Sequence, residues 1–172
     1  MAPVLPQPDY EAVAEARMRA AIALARSTPE GDVPVGAIIY GPDGEVLGRG
    51  VNRREADGDP LAHAEILAIR QALTHRVDGW RLTDCTLVVT LEPCTMCAGA
   101  LVGARIGKII FGAYEPKTGA VGSVFDVVRD PQVLHRIEVQ GGVVERECQQ
   151  LLRDFFGELR QDPDLDSGQG IR

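Results

Sequence analysis

Two short segments of the chain carry the side chains that could bind a metal ion and move protons. The first contains His63 and Glu65, and the second contains Cys94 and Cys97 directly after Pro93. One imidazole and two thiolates are zinc ligands, and a zinc ion with three protein ligands keeps a fourth position open for water, as in catalytic sites. Zinc makes that water nucleophilic near neutral pH, and a carboxylate such as Glu65 can carry its protons. The pattern therefore predicts a catalytic site with one Zn²⁺ per chain.

The spacing of these residues sets conditions on the helices that must position them. Cys94 and Cys97 are three residues apart, so in the first turn of a helix their side chains share one face. Pro93 favours a helix start at this point, and the helix dipole favours thiolates there. His63 and Glu65 are two residues apart, which in a regular helix separates them by about 200°. We therefore expect His63 to cap a second helix, outside helical geometry.

A C-x-x-C pair also occurs in redox proteins and in structural zinc sites, so the pair by itself leaves these alternatives open. Cys85 or Cys148 could close the metal site as a fourth ligand, which would make the protein a non-catalytic zinc module. Cys85 stands at the start of a predicted apolar strand, and Cys148 lies in the predicted C-terminal helix that buries Leu151, Leu152 and Phe155. Buried free cysteines behave as small hydrophobic residues, so we expect both to be part of the core.

Length and composition are typical of one soluble domain: 172 residues, 45% hydrophobic and 25% charged. No apolar run is long enough to span a membrane. The first residues lack a basic region followed by an apolar run, so we do not expect a secretory signal. Cysteines that must stay reduced to bind metal fit a cytoplasmic protein. The formal net charge is −7. Nucleic-acid-binding proteins are usually basic, so an RNA would have to bind at a local basic patch.

Hydrophobic periodicity and turn residues predict an α/β protein. The predicted helices cover 9–26, 63–76, 94–104 and 147–160; the strands cover 35–40, 45–52, 86–90 and 108–113, with weaker strands at 137–139 and 143–145. The first helix should pack through Val13, Ala16, Ala20 and Leu24, and residues 53–60 should form a loop. Residues 86–113 form a βαβ unit with parallel strands. We expect one zinc-dependent domain over 9–160, with flexible termini at 1–8 and 161–172.

Beyond the H-x-E…P-C-x-x-C signature of zinc nucleobase deaminases, the chain resembles the bacterial tRNA-specific adenosine deaminases of the cytidine deaminase-like superfamily. The resemblance covers residues 10–160. Its motifs lie at 33–37, 59–60, 62–65, 89–94, 96–100, 105–107, 111–113, 117–120, 122–123, 126–127 and 135–136. It implies a three-layer α/β/α sandwich with a central mixed sheet, and a homodimer. The implied reaction is hydrolytic deamination of the wobble adenosine of a tRNA anticodon, that of an arginine tRNA, to inosine.

The resemblance also implies roles for individual residues. His63, Cys94 and Cys97 would hold the zinc ion and Glu65 would move protons. Asn52 would hydrogen-bond the flipped-out base, and Val35 would wall the pocket. One ring of the pair Phe155 and Phe156 would lie near the anticodon; periodicity places Phe155 in the core, which leaves Phe156 as the candidate. From the residues alone, Asn52 at a strand end could equally stabilise a turn. Six basic residues are candidates for phosphate contacts: Arg53, Arg54, Lys117, Arg136, Arg153 and Arg160.

The chain departs from the family pattern directly after Ala113. The family often has Arg-Asp there, whereas this chain has Tyr-Glu-Pro at residues 114–116. A basic side chain is lost there, although Tyr114 could stack on a base. A deaminase of a free base or nucleoside, such as guanine or cytosine, is the nearest alternative. It would retain the zinc-site residues but would not need residues 117–136 or the C-terminal aromatic side chain.

Overall fold

The computed structural model describes residues 9–76 and 79–160. The termini that we expected to be flexible, 1–8 and 161–172, lie outside these described residues. The elements in chain order are α1 (Tyr10–Ala25), β1 (Gly36–Tyr40), β2 (Val46–Val51), α2 (Arg54–Asp57), α3 (Ala64–Thr74), β3 (Thr86–Leu91), α4 (Thr95–Gly103), β4 (Lys108–Ala113), β5 (Glu138–Gln140) and α5 (Glu145–Leu159). Every helix in the described part is too short or too polar to span a bilayer.

The five strands form one mixed sheet in the order β2-β1-β3-β4-β5. β1 is antiparallel to both β2 and β3, as expected for a hairpin at the sheet edge. β3 and β4 are parallel and are joined by α4, which confirms the predicted βαβ unit. β5 extends the sheet in parallel to β4. Parallel strands at the centre require helices on both faces, because each face must be covered by apolar side chains.

Side chains alternate along the central strands and so divide the core into two layers. On one face, residues such as Ile39, Val89 and Phe111 pack with α3 and α4. On the other face, Val88 and Ile110 are among the residues that pack with α1 and with Cys148 of α5. The resulting architecture is the expected three-layer α/β/α sandwich.

The helix that carries His63 and Glu65 lies unusually close to the sheet. Two glycines of β2, Gly48 and Gly50, face α3 and leave room for its backbone. A Cβ atom added at Gly50 would lie 2.8 Å from the amide nitrogen of Ala68, and still closer to the carbonyl oxygen of Ala64. Small residues at these two positions therefore determine where the first turns of α3 can lie.

Three details differ from the sequence predictions. The buried face of α1 consists of Ala14, Met18, Ala21, Ile22 and Ala25, not the predicted stripe. Alanine and other apolar residues lie on several sides of α1, so the sequence does not define a single apolar face. The bulky side chains of Met18 and Ile22 are the ones that pack against the sheet. The expected loop at 53–60 contains the short helix α2. The weak strand at 143–145 is absent from the described sheet, because Val144 caps α5 instead.

Candidate active site

Two helix N-termini bring the three predicted zinc ligands together. His63 is the N-cap of α3, with extended backbone angles (φ −74°, ψ 151°), which confirms the position expected from its spacing to Glu65. Cys94 is the N-cap of α4, and Cys97 lies in the first turn of that helix. The Nδ1 atom of His63 lies 3.7 Å from the Sγ atom of Cys94 and 3.6 Å from that of Cys97. The three potential ligand atoms all lie within 4.8 Å of one another.

These separations fit a tetrahedral zinc ion. Zn–N bonds of about 2.1 Å and Zn–S bonds of about 2.3 Å at tetrahedral angles place the ligand atoms about 3.6 Å apart. The thiol chemistry fits as well. Hydrogen bonding from Cys97 and then from His63 lowers the pKa of Cys94 to about 4, and the neighbouring sulfur raises the pKa of Cys97. A second thiolate in this position therefore requires a positive charge between the sulfurs, which zinc supplies.

Glu65 lies in the first turn of α3 and is 5% exposed. Burial raises the pKa of its carboxyl group above the usual range, because the charged form loses its hydration. A carboxyl group with a raised pKa holds a proton more readily, which is the property of a group that accepts and returns protons during a reaction.

A cavity of about 250 Å³ opens beside this cluster. Its lining includes the predicted substrate-binding residues Val35, Asn52 and Phe156, together with His63, Glu65 and Cys94. Cys97 is fully buried and is not part of the lining. The remaining lining residues are Gly31, Asp32, Val33, Arg54, Glu55, Ala64, Leu91, Glu92, Glu115, Thr118 and Leu152. The structure therefore places all of the predicted site residues at one cavity or directly behind its wall.

The amide of Asn52 is held by the backbone on both sides. Its Nδ2 atom donates to the carbonyl oxygen of Val33 at 3.1 Å, and its Oδ1 atom accepts from the amide of Arg54 at 3.3 Å. Asn52 therefore stabilises the local backbone, as its position at a strand end suggested. Because an amide nitrogen carries two hydrogens, one N–H of this fixed side chain is left over for a ligand in the cavity.

The two aromatic side chains of α5 differ in exposure. Phe155 is partly buried, whereas Phe156 is 43% exposed at the cavity. The two rings contact each other edge to face, with centroids 5.2 Å apart. Phe156 is thus the ring of this pair that a ligand entering the cavity would meet.

The expected basic surface is only partly assembled. Arg54 is the one candidate of the six that lines the cavity, and its guanidinium group pairs with Glu55 at 3.1 Å. Arg53 is paired with Asp57 at 2.8 Å. Exposed arginines in such pairs can still exchange their partner for a phosphate, since exposed ion pairs are weak.

Sequence reasoning missed two buried carboxylates at the cavity, Asp32 and Glu92. Asp32 accepts hydrogen bonds from the amides of Glu55 at 2.8 Å and Ala56 at 3.0 Å, and so holds α2 at the cavity entrance. Both carboxylates stand next to apolar residues in the sequence. An acidic residue directly after an apolar strand was the signal that could have revealed Glu92, because buried charges require partners. Asp32 follows the polar residues 27–31 and gave no such signal.

Cys85 and Cys148 lie outside the metal-binding group found in the described residues. Both are buried, and burial raises the pKa of each thiol to about 12. Cys85 donates to Asp84 at 3.2 Å, and Cys148 packs against Gly112 on the other face of the sheet. Neither thiol is therefore available as a fourth zinc ligand in this geometry.

Comparison with known proteins decides the family. Residues 12–113 match the model for the cytidine and deoxycytidylate deaminase zinc-binding region. The tRNA-specific adenosine deaminase of Haemophilus influenzae is 42% identical over 153 residues, which cover 88% of each chain. That of Bacillus subtilis is 43% identical over 148 residues, 86% of this chain and 91% of the relative. The chain belongs to the tRNA-specific adenosine deaminase family. It is an enzyme of the deaminase class.

Two solved structures share the fold of this tRNA-specific adenosine deaminase family member, and the one from tRNA deaminases is the more similar of the two in sequence. A chain from studies of A-to-I editing by tRNA:A34 deaminases at the wobble position of transfer RNA superposes with a TM-score of 0.73. It is 42% identical and covers 78% of this chain and 97% of its own. A guanine deaminase from Nitrosomonas europaea superposes with a TM-score of 0.68 at 26% identity, covering 91% of this chain and 97% of its own.

One relative is much longer than this chain. The tRNA(Ile)-lysidine synthase of Deinococcus radiodurans is 50% identical over 147 residues, which are 85% of this chain but 25% of that protein. The chain therefore spans about a quarter of that relative's length.

Proposed function

We propose that this deaminase converts the wobble adenosine of a tRNA anticodon, that of an arginine tRNA, to inosine. The observation that carries the proposal is the cavity in which the His63, Cys94 and Cys97 group meets the buried carboxyl group of Glu65. Three protein ligands suit a catalytic zinc site, and the relatives named for tRNA adenosine deamination share most of the chain. One Zn²⁺ would be bound per chain.

The reaction consumes one water and releases one ammonia. His63, Cys94 and Cys97 would hold a zinc ion, and that ion would make a water in the cavity acidic enough to react. Glu65 takes a proton from that water as its oxygen adds to the ring carbon that bears the amine. Glu65 would then pass that proton to the adjacent ring nitrogen, take the second proton from the hydroxyl group of the adduct and deliver it to the amine. The amine leaves as ammonia, and the ring carbon keeps the oxygen as a carbonyl group. The remaining amide N–H of Asn52 would hydrogen-bond the base, and Val35 would close one side of the cavity.

A single-stranded anticodon loop is a suitable substrate for an enzyme that acts on one extracted base. A base in a loop can be turned out of its stack at lower cost than a paired base. Phe156 at the cavity offers an exposed ring on which a neighbouring base can stack. The proposed tRNA substrate is therefore supported by the exposed Phe156 ring and by the similar tRNA-specific adenosine deaminases, and not by the net charge of −7.

We further propose a homodimer in the cytoplasm. Helix α4 contains no charged residue over Thr95–Gly103, and its outward positions Met96, Ala100 and Val102 are partly exposed. A helix that is apolar on all sides is normally covered, and a second copy of the chain would cover this one. The thiolates of the metal site require a reducing compartment.

Deamination of a free base is the second candidate. It is favoured by the acidic side chains at the cavity, among them Asp32, Glu55 and Glu115, which a phosphate backbone would meet unfavourably. The guanine deaminase that shares the fold is less similar in sequence than the tRNA:A34 deaminase structure.

The decisive experiment uses an arginine-tRNA anticodon stem-loop with adenosine at the wobble position. Inosine should form with the wild-type protein, and Glu65→Ala should lose about 10²–10⁴-fold in rate while retaining zinc, because proton transfer is removed and the ligands are not. A stem-loop with guanosine at the wobble position controls for the target base. Guanine, cytosine, adenosine and cytidine are tested in parallel. No inosine in the stem-loop, with turnover of one of these free compounds, would establish the second candidate instead.

A further inference from the structure

Glu92 is a second buried glutamate at the cavity, and it differs from Glu65 in how it is bound. It follows β3 directly and is 2% exposed. Its Oε1 atom accepts from the amides of Val121 and Ser123, each at 3.0 Å. Its Oε2 atom accepts from the amide of Glu115 at 3.0 Å and from the hydroxyl group of Ser123. Both oxygens thus bind the same segment of the chain, residues 115–123, which we call the wall loop.

The wall loop is also attached to the segment that carries the zinc ligands. The amide of Ala120 donates to the carbonyl oxygen of Pro93 at 2.8 Å, and Gly119 forms a bridge with Cys94. At Gly119 the loop passes so close to Glu92 that an added Cβ atom would lie 2.6 Å from Oε2. The backbone of the wall loop therefore wraps around the carboxylate and leaves no room for a side chain there.

The wall loop contributes Glu115 and Thr118 to the lining of the cavity. Glu115 is itself one of the residues whose amide binds Glu92. Three backbone N–H groups and one hydroxyl group would lose an ionised acceptor if the carboxylate were absent, and such charge-assisted hydrogen bonds are stronger than neutral ones. The position of this side of the cavity therefore depends on Glu92.

We propose that Glu92 is a positioning residue that holds the wall loop where the substrate requires it. Glu92 does not exchange protons with the substrate, because its two oxygens are occupied by four donors from the wall loop. Its contribution is to the fit of the nucleotide and not to the proton transfers at Glu65. The choice of substrate for the test rests on the proposed function.

The test is Glu92→Gln, which preserves shape but places an NH₂ group opposite hydrogen-bond donors. We expect the KM for the stem-loop to rise about tenfold, which corresponds to the loss of one hydrogen bond to a charged group, while kcat changes by less than about threefold. Zinc content should be unchanged. Glu138→Gln is the matched control, because it removes the same charge from an exposed pair with Lys108 on β4 and β5.

Limited proteolysis tests the loop without any substrate. Lys117 is exposed within the wall loop, so trypsin can cleave after it once the loop leaves its position. Cleavage at this bond, followed by mass spectrometry, should be faster in Glu92→Gln than in the wild type and in Glu138→Gln. If the wild-type protein does not deaminate the stem-loop, the proposed function fails, while the cleavage rate still decides the role of Glu92.

Two results would overturn the proposal. The first is a KM and a cleavage rate in Glu92→Gln that equal those of the wild type. The second is a loss of zinc together with a large fall in kcat at unchanged KM, which would assign Glu92 to the metal site. If Glu92→Gln does not fold, the same two measurements are made on Ser123→Ala. It removes one hydroxyl donor and retains the backbone amide, so KM and cleavage should change in the same direction by less. No change in either quantity would again overturn the proposal.

Discussion

Gly50→Ala should disturb the active site through the packing of one helix. Gly50 lies in β2 and is buried beneath the start of α3. An added methyl carbon would lie 2.8 Å from the amide nitrogen of Ala68 and 3.0 Å from the carbonyl carbon of Ala64, and closer still to the oxygen of Ala64. All three are backbone atoms, so no side-chain rotation can relieve the overlap.

The size of the effect follows from these distances. Carbon atoms in van der Waals contact are about 3.5–4.0 Å from their neighbours, so the first turns of α3 must move outward by about 1 Å. Overpacking of this kind costs about 1–3 kcal/mol. For a chain of this size, that lowers Tm by about 5 °C. His63 and Glu65 begin the same helix, and a displacement of about 1 Å at a reacting group can reduce the rate about 100-fold.

The assay combines thermal unfolding followed by circular dichroism with deamination of the stem-loop and zinc analysis. Gly157→Ala in α5 is the matched control, because an added methyl group meets nothing within 4 Å there. Alanine is a better helix former than glycine by about 0.5–1 kcal/mol, so its Tm should be unchanged or higher. A wild-type Tm and full activity in Gly50→Ala would refute the argument that backbone contact positions α3.

Two further predictions concern stability and metal content. Arg105 follows α4 with φ at 58°, a conformation that glycine adopts without cost, so Arg105→Gly should raise the free energy of unfolding by about 1 kcal/mol. Chemical denaturation measures this change, and a lower stability would show that the contacts of the arginine outweigh its backbone strain. Cys85→Ser and Cys148→Ser should bind as much zinc as the wild type, because both thiols lie apart from the metal-binding group. Zinc loss in either variant, measured by elemental analysis, would contradict the three-ligand site.

Local features of the sequence were sufficient to predict many of the helices and strands. The bounds of β4 agree with the prediction, and α3 and α4 begin next to His63 and Cys94 as their spacing required. These predictions succeeded because caps, turns and alternating apolar residues act over a few residues and therefore appear directly in the sequence. The candidate metal ligands were also found in this way, because their residue types and spacing appear directly in the sequence.

Long-range packing decided the remainder. The buried face of α1 was selected by the sheet, since a helix rich in alanine presents several possible apolar faces. The partners of Glu92 lie 23–31 residues further along the chain, and those of Asp32 lie 23 and 24 residues away. Such a pairing leaves no periodic pattern in the sequence, because it arises only when distant segments meet. The sequence by itself determined the candidate reacting groups and the helix starts that carry them. The tertiary structure decided which buried glutamate lies beside the candidate metal ligands and which is bound by the loop that lines the cavity.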